Sequence, residues 1–550
     1  MAGYYLRMTI HLVSCCLEEG NLSYPLGALC IQSSLLAKGF ACVHHPFTLA
    51  DDPRQAAGQV AYEQGEVIGL SVYLWNRLWM DSFLSALKEE HPGLVVFAGG
   101  PEATANPQSF NLDSLSFLVV GEGEEAVVQA VQQLAKHQAV QGKGLVSDLK
   151  YISYAPSPQL SELSSPILQG LADPFLTEGA SVLWEMTRGC PFHCSFCFES
   201  RGQRSVRHFP PERLEAELDY LVAHGVGEIY VLDPTFNMDK KRTLELLSLI
   251  EAKSQAIHFV FEIRAELLDK QLADAFSRIN CSLQIGLQSS DPAVLKQANR
   301  SFVPDSFAKK VALLNDRGIP FGLDLIIGLP LDSFEAFTKS LDYAMALKPS
   351  NLDIFPLSLL PGTLVADQAA EFGIKHLKDA PYTIQSSPTF CEEDILRAIR
   401  LKEAADLFFT QGQAGMWMGK LGEALELKGH QILTLFNSYL SFYLKKSGQR
   451  QEEIDIFSVQ EAFVRSLLKK LGKQAYEPAL LSYMELHQGI AFIQTYQESP
   501  VIRLLYSLDE LSLLDRLSLE EFVRTYPEQE QQEFAIQAQE DGQLLFIPLK

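Results

Sequence analysis

Short, near-continuous apolar runs alternate with helix-like stretches twice along this chain of 550 residues, and no other feature narrows its fold as much. A strand buried on one face alternates polar and apolar residues, whereas a strand apolar throughout is buried on both. Such runs separated by helices therefore predict parallel sheets covered on both sides. In the first block, about residues 8–135, the strands are MTIHLVS (Met8–Ser14), ACVHHPF, VIGLSVYLW (Val67–Trp75), LVVFAGG (Leu94–Gly100) and FLVVGEG, with helices at Leu26–Lys38 and Glu124–Lys136. The runs MTIHLVS, LVVFAGG and FLVVGEG end in Ser or Gly, and VIGLSVYLW runs into Asn76, at the carboxyl edge where such sheets hold ligands. In the second block the strands are Ser181–Thr187, Glu228–Leu232, His258–Ile263, Ser282–Gly286, Gly322–Ile327 and Asn351–Phe355, each pair separated by a helix. Six strand–helix units of this length predict an open or partial barrel.

The expected class is α/β. Residues 1–140 form a doubly wound, Rossmann-like domain, and the Gly-, Ser- and Pro-rich residues 141–180 read as a linker. Residues 181–375 form a partial (β/α)6 barrel. Residues 376–550 are mainly helical, with helices at Glu393–Thr410, Leu421–Lys446 and Ser458–Gly472 by apolar period.

The net charge of −23 repels phosphate backbones, so a nucleic-acid substrate is not expected, and a small molecule or peptide is. Nine cysteines are too few for a disulfide scaffold. The first 20 residues lack the apolar core and cleavage site of a secretory leader. No stretch reaches the ~20 apolar residues of a membrane span; Gln431–Leu444 comes nearest and is broken by Asn437, Ser438 and Ser441. A reducing cytoplasm is the expected compartment.

Chemistry concentrates in WEMTRGCPFHCSFCFES, where Cys190, Cys194 and Cys197 follow a strand with C-x3-C-x2-C spacing. Three thiolates on one loop can ligate three irons of a 4Fe–4S cubane, leaving the fourth iron open to a ligand. Two other readings stand beside this one. Zinc could bind with His193 as fourth ligand, although structural zinc sites usually pair separated ligands. CSFC could be a redox dithiol, which has no need of the third cysteine.

The region resembles the radical S-adenosylmethionine superfamily, whose hallmark is this cysteine loop after the first strand of a partial (β/α)6 barrel. The resemblance extends through IYVLDPTFN, FEIRAELLD, LQIGLQSSDPAVLKQANR, GLDLIIGLP and FPLSLLPGT. It implies a 4Fe–4S cluster on the three cysteines and S-adenosylmethionine on Phe196, Asp233, Thr235, Glu262, Arg264, Gln288, Ser289 and Ile327. The family often has Gly-Gly-Glu where this chain has Asp233-Pro234-Thr235. Taken singly, Glu262 and Arg264 could be an ion pair, Gln288 a cap, and Gly328 with Pro330 a turn.

The first block resembles the cobalamin-binding domains fused to such enzymes, through YPLGALCIQSSLLAKGF, LSVYLWN, FAGGPEAT and VVGEGEEAV. That implies cobalamin contacts at Ser71, Tyr73, Leu74, Gly99, Gly100, Gly121, Glu122 and Gly123. The histidine that many such domains place below cobalt is missing from CCLEEGNLSYPLG; His44 and His45 come later and read as structural. The competing reading is a doubly wound domain that binds nothing.

The resemblance thus implies a cobalamin-dependent radical enzyme that methylates an unactivated carbon, with a flavodoxin- or ferredoxin-like reductant. Ring formation or rearrangement without methyl transfer is the alternative within enzymes, and a cobalamin or cluster sensor is the alternative outside them. A methylthiotransferase fits less well, since no second cysteine triplet or basic tail is present. No catalytic acid or base stands out. Cys281 and Cys391 read as buried free thiols, and Trp75, Trp79, Trp417, Met416 and Met418 as core. The C-terminal helices read as a lid whose deletion after about residue 400 would uncouple cleavage from turnover.

Overall fold

The computed structural model describes residues 8–18, 24–60, 65–199, 205–496, 498–539 and 544–549, so part of the CCLEEGNLSYPLG stretch (19–23) lies outside the described residues. The chain divides into two compact units, Met1–Ser282 with Ser358–Ile384, and Leu283–Leu357 with Gln385–Lys550.

The first unit opens with a six-stranded sheet ordered β2-β1-β3-β4-β5-β6. Its strands are β1 (Thr9–Cys16), β2 (Ala41–Thr48), β3 (Val67–Ser71), β4 (Val95–Gly99), β5 (Phe117–Val119) and β6 (Leu145–Val146). The first five run parallel and β6 runs antiparallel to β5. Helices α1 (Leu26–Ala37), α2 (Pro53–Gln59), α3 (Arg77–Glu90), α4 (Pro101–Ala105) and α5 (Gly123–Ala135) connect them. One core joins Ile68 and Leu70 to Trp79 and Phe83, and a second joins Ile10 and Leu12 to Leu35 and Val127. Neighbouring residues of one strand thus enter opposite cores, which is why the runs are apolar throughout. The strand order reverses beside β1, so the carboxyl ends of β1 and β3 flank the expected ligand crevice.

The stretch read as a linker is packed rather than loose. It supplies β6, and Leu160, Ile167 and Ala172 are buried. These apolar residues are scattered among Ser and Pro with no period, so composition hid them.

The barrel begins in the same unit with β7 (Ser181–Trp184), β8 (Thr187–Arg188), β9 (Arg207–His208), α6 (Pro211–Ala223), β10 (Glu228–Val231), α7 (Lys240–Lys253), β11 (His258–Ile263) and α8 (Lys270–Phe276). The strands β7, β10 and β11 run parallel in that order. Asp239 and Asp269 cap α7 and α8 by accepting from backbone N–H groups of the first turn. The division between units falls after Ser282, inside β12 (Cys281–Gln288).

The second unit continues with α9 (Pro292–Gln297), α10 (Pro304–Asn315), β13 (Phe321–Ile327), α11 (Phe334–Ala346) and β14 (Asn351–Pro356). Here β12, β13 and β14 are parallel neighbours. All six strand–helix units read from the sequence are present, within one or two residues of their expected bounds, except that the first strand is split at Glu185–Met186. The chain then returns to the first unit with α12 (Leu364–Asp367) and β15 (Lys375–His376), and β16 (Ile384–Ser386) straddles the division.

The C-terminal region contains α13 (Glu392–Ala405), α14 (Met418–Leu425), α15 (Gly429–Ser447), α16 (Ile456–Lys470) and α17 (Glu477–Tyr496). It is tied to the rest of its own unit. The Thr410 hydroxyl accepts from the Leu352 amide at 3.1 Å, and His430 bonds Asp342 at 2.7 Å. Thr410 lies in a π-helical turn, Asp406–Gln411, whose neighbouring carbonyls of Phe408 and Gly412 accept from the Gln460 side chain. The single helix expected over Leu421–Lys446 is two, broken where Glu426 turns left-handed at φ +56°. An antiparallel sheet of β17 (Val501–Leu504), β18 (Gln532–Ala538) and β19 (Leu544–Leu549) was not expected; short helices α18 (Leu508–Ser512) and α19 (Leu519–Thr525) lie between β17 and β18.

Trp79, Trp417 and Met418 are core residues, but Trp75 is 46% exposed and Met416 38%. Cys281 is buried; Cys391 is exposed at the start of α13. No helix among the described residues is long and apolar enough to cross a membrane.

Candidate active site

The first barrel strand is anchored by Trp184, whose indole N–H donates to the buried Glu217 at 2.9 Å. After a bend at Glu185, Thr187 and Arg188 pair antiparallel with His208 and Arg207. This two-residue ribbon closes the loop that carries the three cysteines. All three are half-buried, and Cys197 donates its amide to the Cys194 carbonyl at 3.1 Å, which turns the chain between the last two. Burial pushes the Cys190 thiol above its ordinary range, against hydrogen bonds from the Phe192 amide and the Thr235 hydroxyl. Burial pushes Cys197 to about 11, with Cys194 and Cys190 among the charges that raise it. Deprotonating Cys190 and Cys197 therefore needs a positive partner.

Several S-adenosylmethionine candidates surround this loop in the first unit. Thr235 lines a cavity with Thr187, Gly189, Pro191, His208 and Arg242. Arg264 lays its guanidinium over the Phe192 ring at 3.8 Å and bonds Glu266 at 2.9 Å. Glu262 is exposed on β11, and Phe196 is partly buried within the loop. Asp233 is 2% exposed, and its Oδ1 accepts from the Met186 and Thr187 amides at 2.9 and 2.8 Å. Its carboxylate thus braces the bend before the cysteine loop. Burial raises its pKa to about 6 against those hydrogen bonds.

In the second unit, Gln288 ends β12 with Ser289 just after it, and Ile327 ends β13. Gln288 has φ +69° and is buried, and its Oε1 has no hydrogen-bond partner. Ser289 faces Ser340, Oγ to Oγ 3.2 Å. Ile327 is fully buried, so what it offers a ligand is backbone.

At the crevice edge of the first sheet, Ser71 ends β3 and Leu74 follows it, partly buried. Tyr73 stacks on Trp75 with ring centroids 4.4 Å apart. The glycines are there largely for internal reasons. A Cβ on Gly100, at φ +109°, would sit 2.6 Å from the Val72 carbonyl oxygen, and one on Gly121 would sit 3.0 Å from the Ala155 amide. Gly99 and Gly123 would meet Val119 and Ile31 at 3.3 and 2.9 Å. The Glu122 carboxylate is engaged by Arg188 at 2.8 Å and Arg207 at 2.5 Å. His44 bonds Ser14 at 2.8 Å, and His45 bonds His11 at 3.0 Å, so both histidines have partners within the sheet.

Two asparagines escaped the sequence reading. Asn76, fully buried, donates to the Cys15 and Ser71 carbonyls and accepts from the Tyr73 amide, tying the ends of β1 and β3 together. Asn237 and the Arg264 backbone exchange two hydrogen bonds, at 2.9 and 3.0 Å, and lock the ends of β10 and β11. Nothing in composition or period marks such residues; an Asn just past a predicted strand is the only signal.

The donor chemistry fits the implied groups. Three half-buried thiols on one loop suit iron, and Thr235 and Arg264 supply hydroxyl and cationic groups beside them. Among the described residues no three His, Cys, Asp or Glu side chains converge on the position of a single ion; a cubane spreads its thiolates over separate irons. At the crevice edge, Trp75 and Leu17 remain 46% and 60% exposed, apolar surface of the kind a flat macrocycle covers.

Residues 184–344 match the Radical SAM superfamily, and residues 16–131 match the B12 binding domain. Among curated relatives, 2-(S-pantetheinyl)-carbapenam-3-carboxylate methyltransferase of Streptantibioticus cattleyicolor is 27% identical over 62% of this chain and 54% of its own length. The cobalamin-dependent radical SAM methyltransferase TokK of Streptomyces tokunonensis is 24% identical over 64% and 55%. The chain thus spans about half the length of these relatives. Among solved structures, the cobalamin-dependent S-adenosylmethionine radical enzyme OxsB with aqua-cobalamin bound has a TM-score of 0.59 at 14% identity, covering 95% of this chain and 84% of that one. The methyltransferase TsrM from Kitasatospora setae, with tryptophan substrate and an S-adenosylmethionine analogue bound, has a TM-score of 0.56 at 16% identity, covering 66% and 76%. Both likenesses concern the fold.

Proposed function

We propose that this chain, which belongs to the cobalamin-binding radical S-adenosylmethionine enzymes, methylates an unactivated carbon of a small molecule. The observation that carries the reading is the half-buried thiol triplet on the loop closed by β8 and β9, in one unit with a doubly wound sheet. When bound, the cluster supplies the electron that splits S-adenosylmethionine into methionine and a 5′-deoxyadenosyl radical, and cobalamin supplies the methyl group.

The chain's own residues bind, orient and exclude water. Cys190, Cys194 and Cys197 hold the cluster. Thr235, Glu262, Arg264 and Phe196 line the S-adenosylmethionine side of the loop, and Asp233 acts through the bend it braces. Within the second unit, Gln288 with its unpaired buried acceptor, Ser289 and Ile327 are the residues the resemblance assigns to S-adenosylmethionine. Ser71, Tyr73, Leu74 and the glycine turns at 99–100, 121 and 123 form the cobalamin edge. A flavodoxin- or ferredoxin-like protein supplies the electron.

The reading is supported by the methyltransferase relatives, whose names concern a carbapenam carboxylate in one case. Its test is anaerobic reconstitution with iron, sulfide and hydroxocobalamin, followed by S-adenosylmethionine and dithionite. About four irons and one cobalt per chain are expected, with 5′-deoxyadenosine formed and the cobalamin spectrum shifted on methylation. Cys194→Ala should lose iron and 5′-deoxyadenosine together. Iron with 5′-deoxyadenosine but no cobalt would remove methyl transfer from the reading; persistent zinc in place of iron would overturn it entirely.

A further inference from the structure

Arg188 and Arg207 face each other across the ribbon that closes the cysteine loop, and both grip Glu122 from the turn between β5 and α5. Arg188 also bonds Glu124 at 2.7 Å and Glu185 at 3.0 Å, and Arg207 donates to the Pro158 carbonyl at 3.0 Å. Ser157 adds a hydrogen bond to Glu122. Four stretches of chain distant in sequence therefore meet at one carboxylate: residues 122–124, 157–158, 185–188 and 207. The Arg188 side chain is only 14% exposed, so this is not a solvated surface pair of negligible effect.

A ribbon of two residue pairs has almost no stability by itself. Between its strands lies the loop that must present three thiols in one geometry. The two arginines, paired across the ribbon, have one carboxylate in common, while Glu124 and Glu185 also pair with Arg188. Glu122 supplies that common carboxylate from a different sheet.

We propose that Glu122 is a positioning residue for the cysteine loop: by holding Arg188 and Arg207 together it fixes the base of the loop against the β5–α5 turn. Its carboxylate couples the edge of the N-terminal sheet to the three thiols. The consequence for the cluster rests on the reading of those thiols as iron ligands; the clasp itself does not.

The test is hydrogen–deuterium exchange on the metal-free full chain, comparing wild type with Glu122→Ala and Glu122→Gln. Loss of the two arginine hydrogen bonds together with that from Ser157 should speed exchange at amides 186–199 roughly tenfold to a hundredfold in Glu122→Ala, while β3 and β4 stay as protected as in wild type. Glu122→Gln keeps the volume and one acceptor, and should fall between; it also gives the answer if the alanine variant fails to fold. After reconstitution with iron and sulfide, the variants should show broadened or multiple cluster EPR signals. Unchanged exchange at 186–199 would overturn the proposal, as would exchange rising equally throughout the N-terminal sheet. Loss of cobalt uptake with an unchanged loop would assign Glu122 to cobalamin instead. Should no 5′-deoxyadenosine ever form while loop exchange rises as expected, the functional reading falls and the clasp stands.

Discussion

Asp233 shows how one side chain can read as a ligand contact and serve as a brace. Both of its amide partners lie on the bend before the cysteine loop. Its pKa, raised by burial to about 6, exceeds the ~3.9 of an unfolded aspartate. An acid with a raised folded pKa binds its proton more tightly folded than unfolded. Its contribution is therefore most favourable below about pH 4 and is lost as pH rises through about 6. Asp233→Asn keeps an acceptor for both amides and removes that ionisation. The variant is expected to fold at pH 7.5 and to melt with a flatter pH dependence than wild type between pH 4 and 6. A wild-type-like slope would assign the effect to other carboxylates. At this scale the sequence was legible where chemistry is written in spacing, as with the three cysteines. It was illegible where a role depends on partners far along the chain: Glu122 meets Arg207 85 residues away, and Asn237 meets the Arg264 backbone 27 away.

Elements were legible wherever burial is two-sided. The strands β1, β3, β4 and β5 announce themselves because their residues enter cores on both faces, and β7 and β10 to β14 because strand-like runs alternate with helices; the two-residue β8 and β9 carry no such signal. The C-terminal sheet was missed for the opposite reason. Its strands are short and partly exposed, and FAIQA or LLFIPL reads equally well as helix edge. Turn geometry carries its own prediction. Gly100 combines positive φ with a Cβ position 2.6 Å from a backbone carbonyl, whereas Gly93 has open space around it. Gly100→Ala is expected to cost ~1–3 kcal/mol in denaturant unfolding. Gly93→Ala should stay within about 0.5 kcal/mol of wild type. Equal effects would mean that the turn relaxes around the methyl.

Over the whole molecule, the C-terminal helices do more than a lid requires. Thr410 satisfies the Leu352 amide near the start of β14, His430 pairs with Asp342 of α11, and Trp417 is fully buried. A chain ending near residue 400 would expose those groups, so it is expected to aggregate or to melt without a cooperative transition, as read by sedimentation and thermal scans. A soluble, cooperatively folded truncation would restore the lid as a detachable part. The first unit is also discontinuous, since residues 358–384 belong to it although residues 283–357 do not. From that late segment Tyr382 donates its hydroxyl to the buried Glu102 at 2.5 Å. During synthesis at roughly 5–20 residues per second, the 280-residue separation of Glu102 and Tyr382 takes roughly 14–56 s to emerge. For that interval the nascent N-terminal sheet holds a carboxylate whose hydroxyl donor has not yet been translated. The order in which the ribosome delivers the chain thus makes the final closure of the first unit an event of late translation.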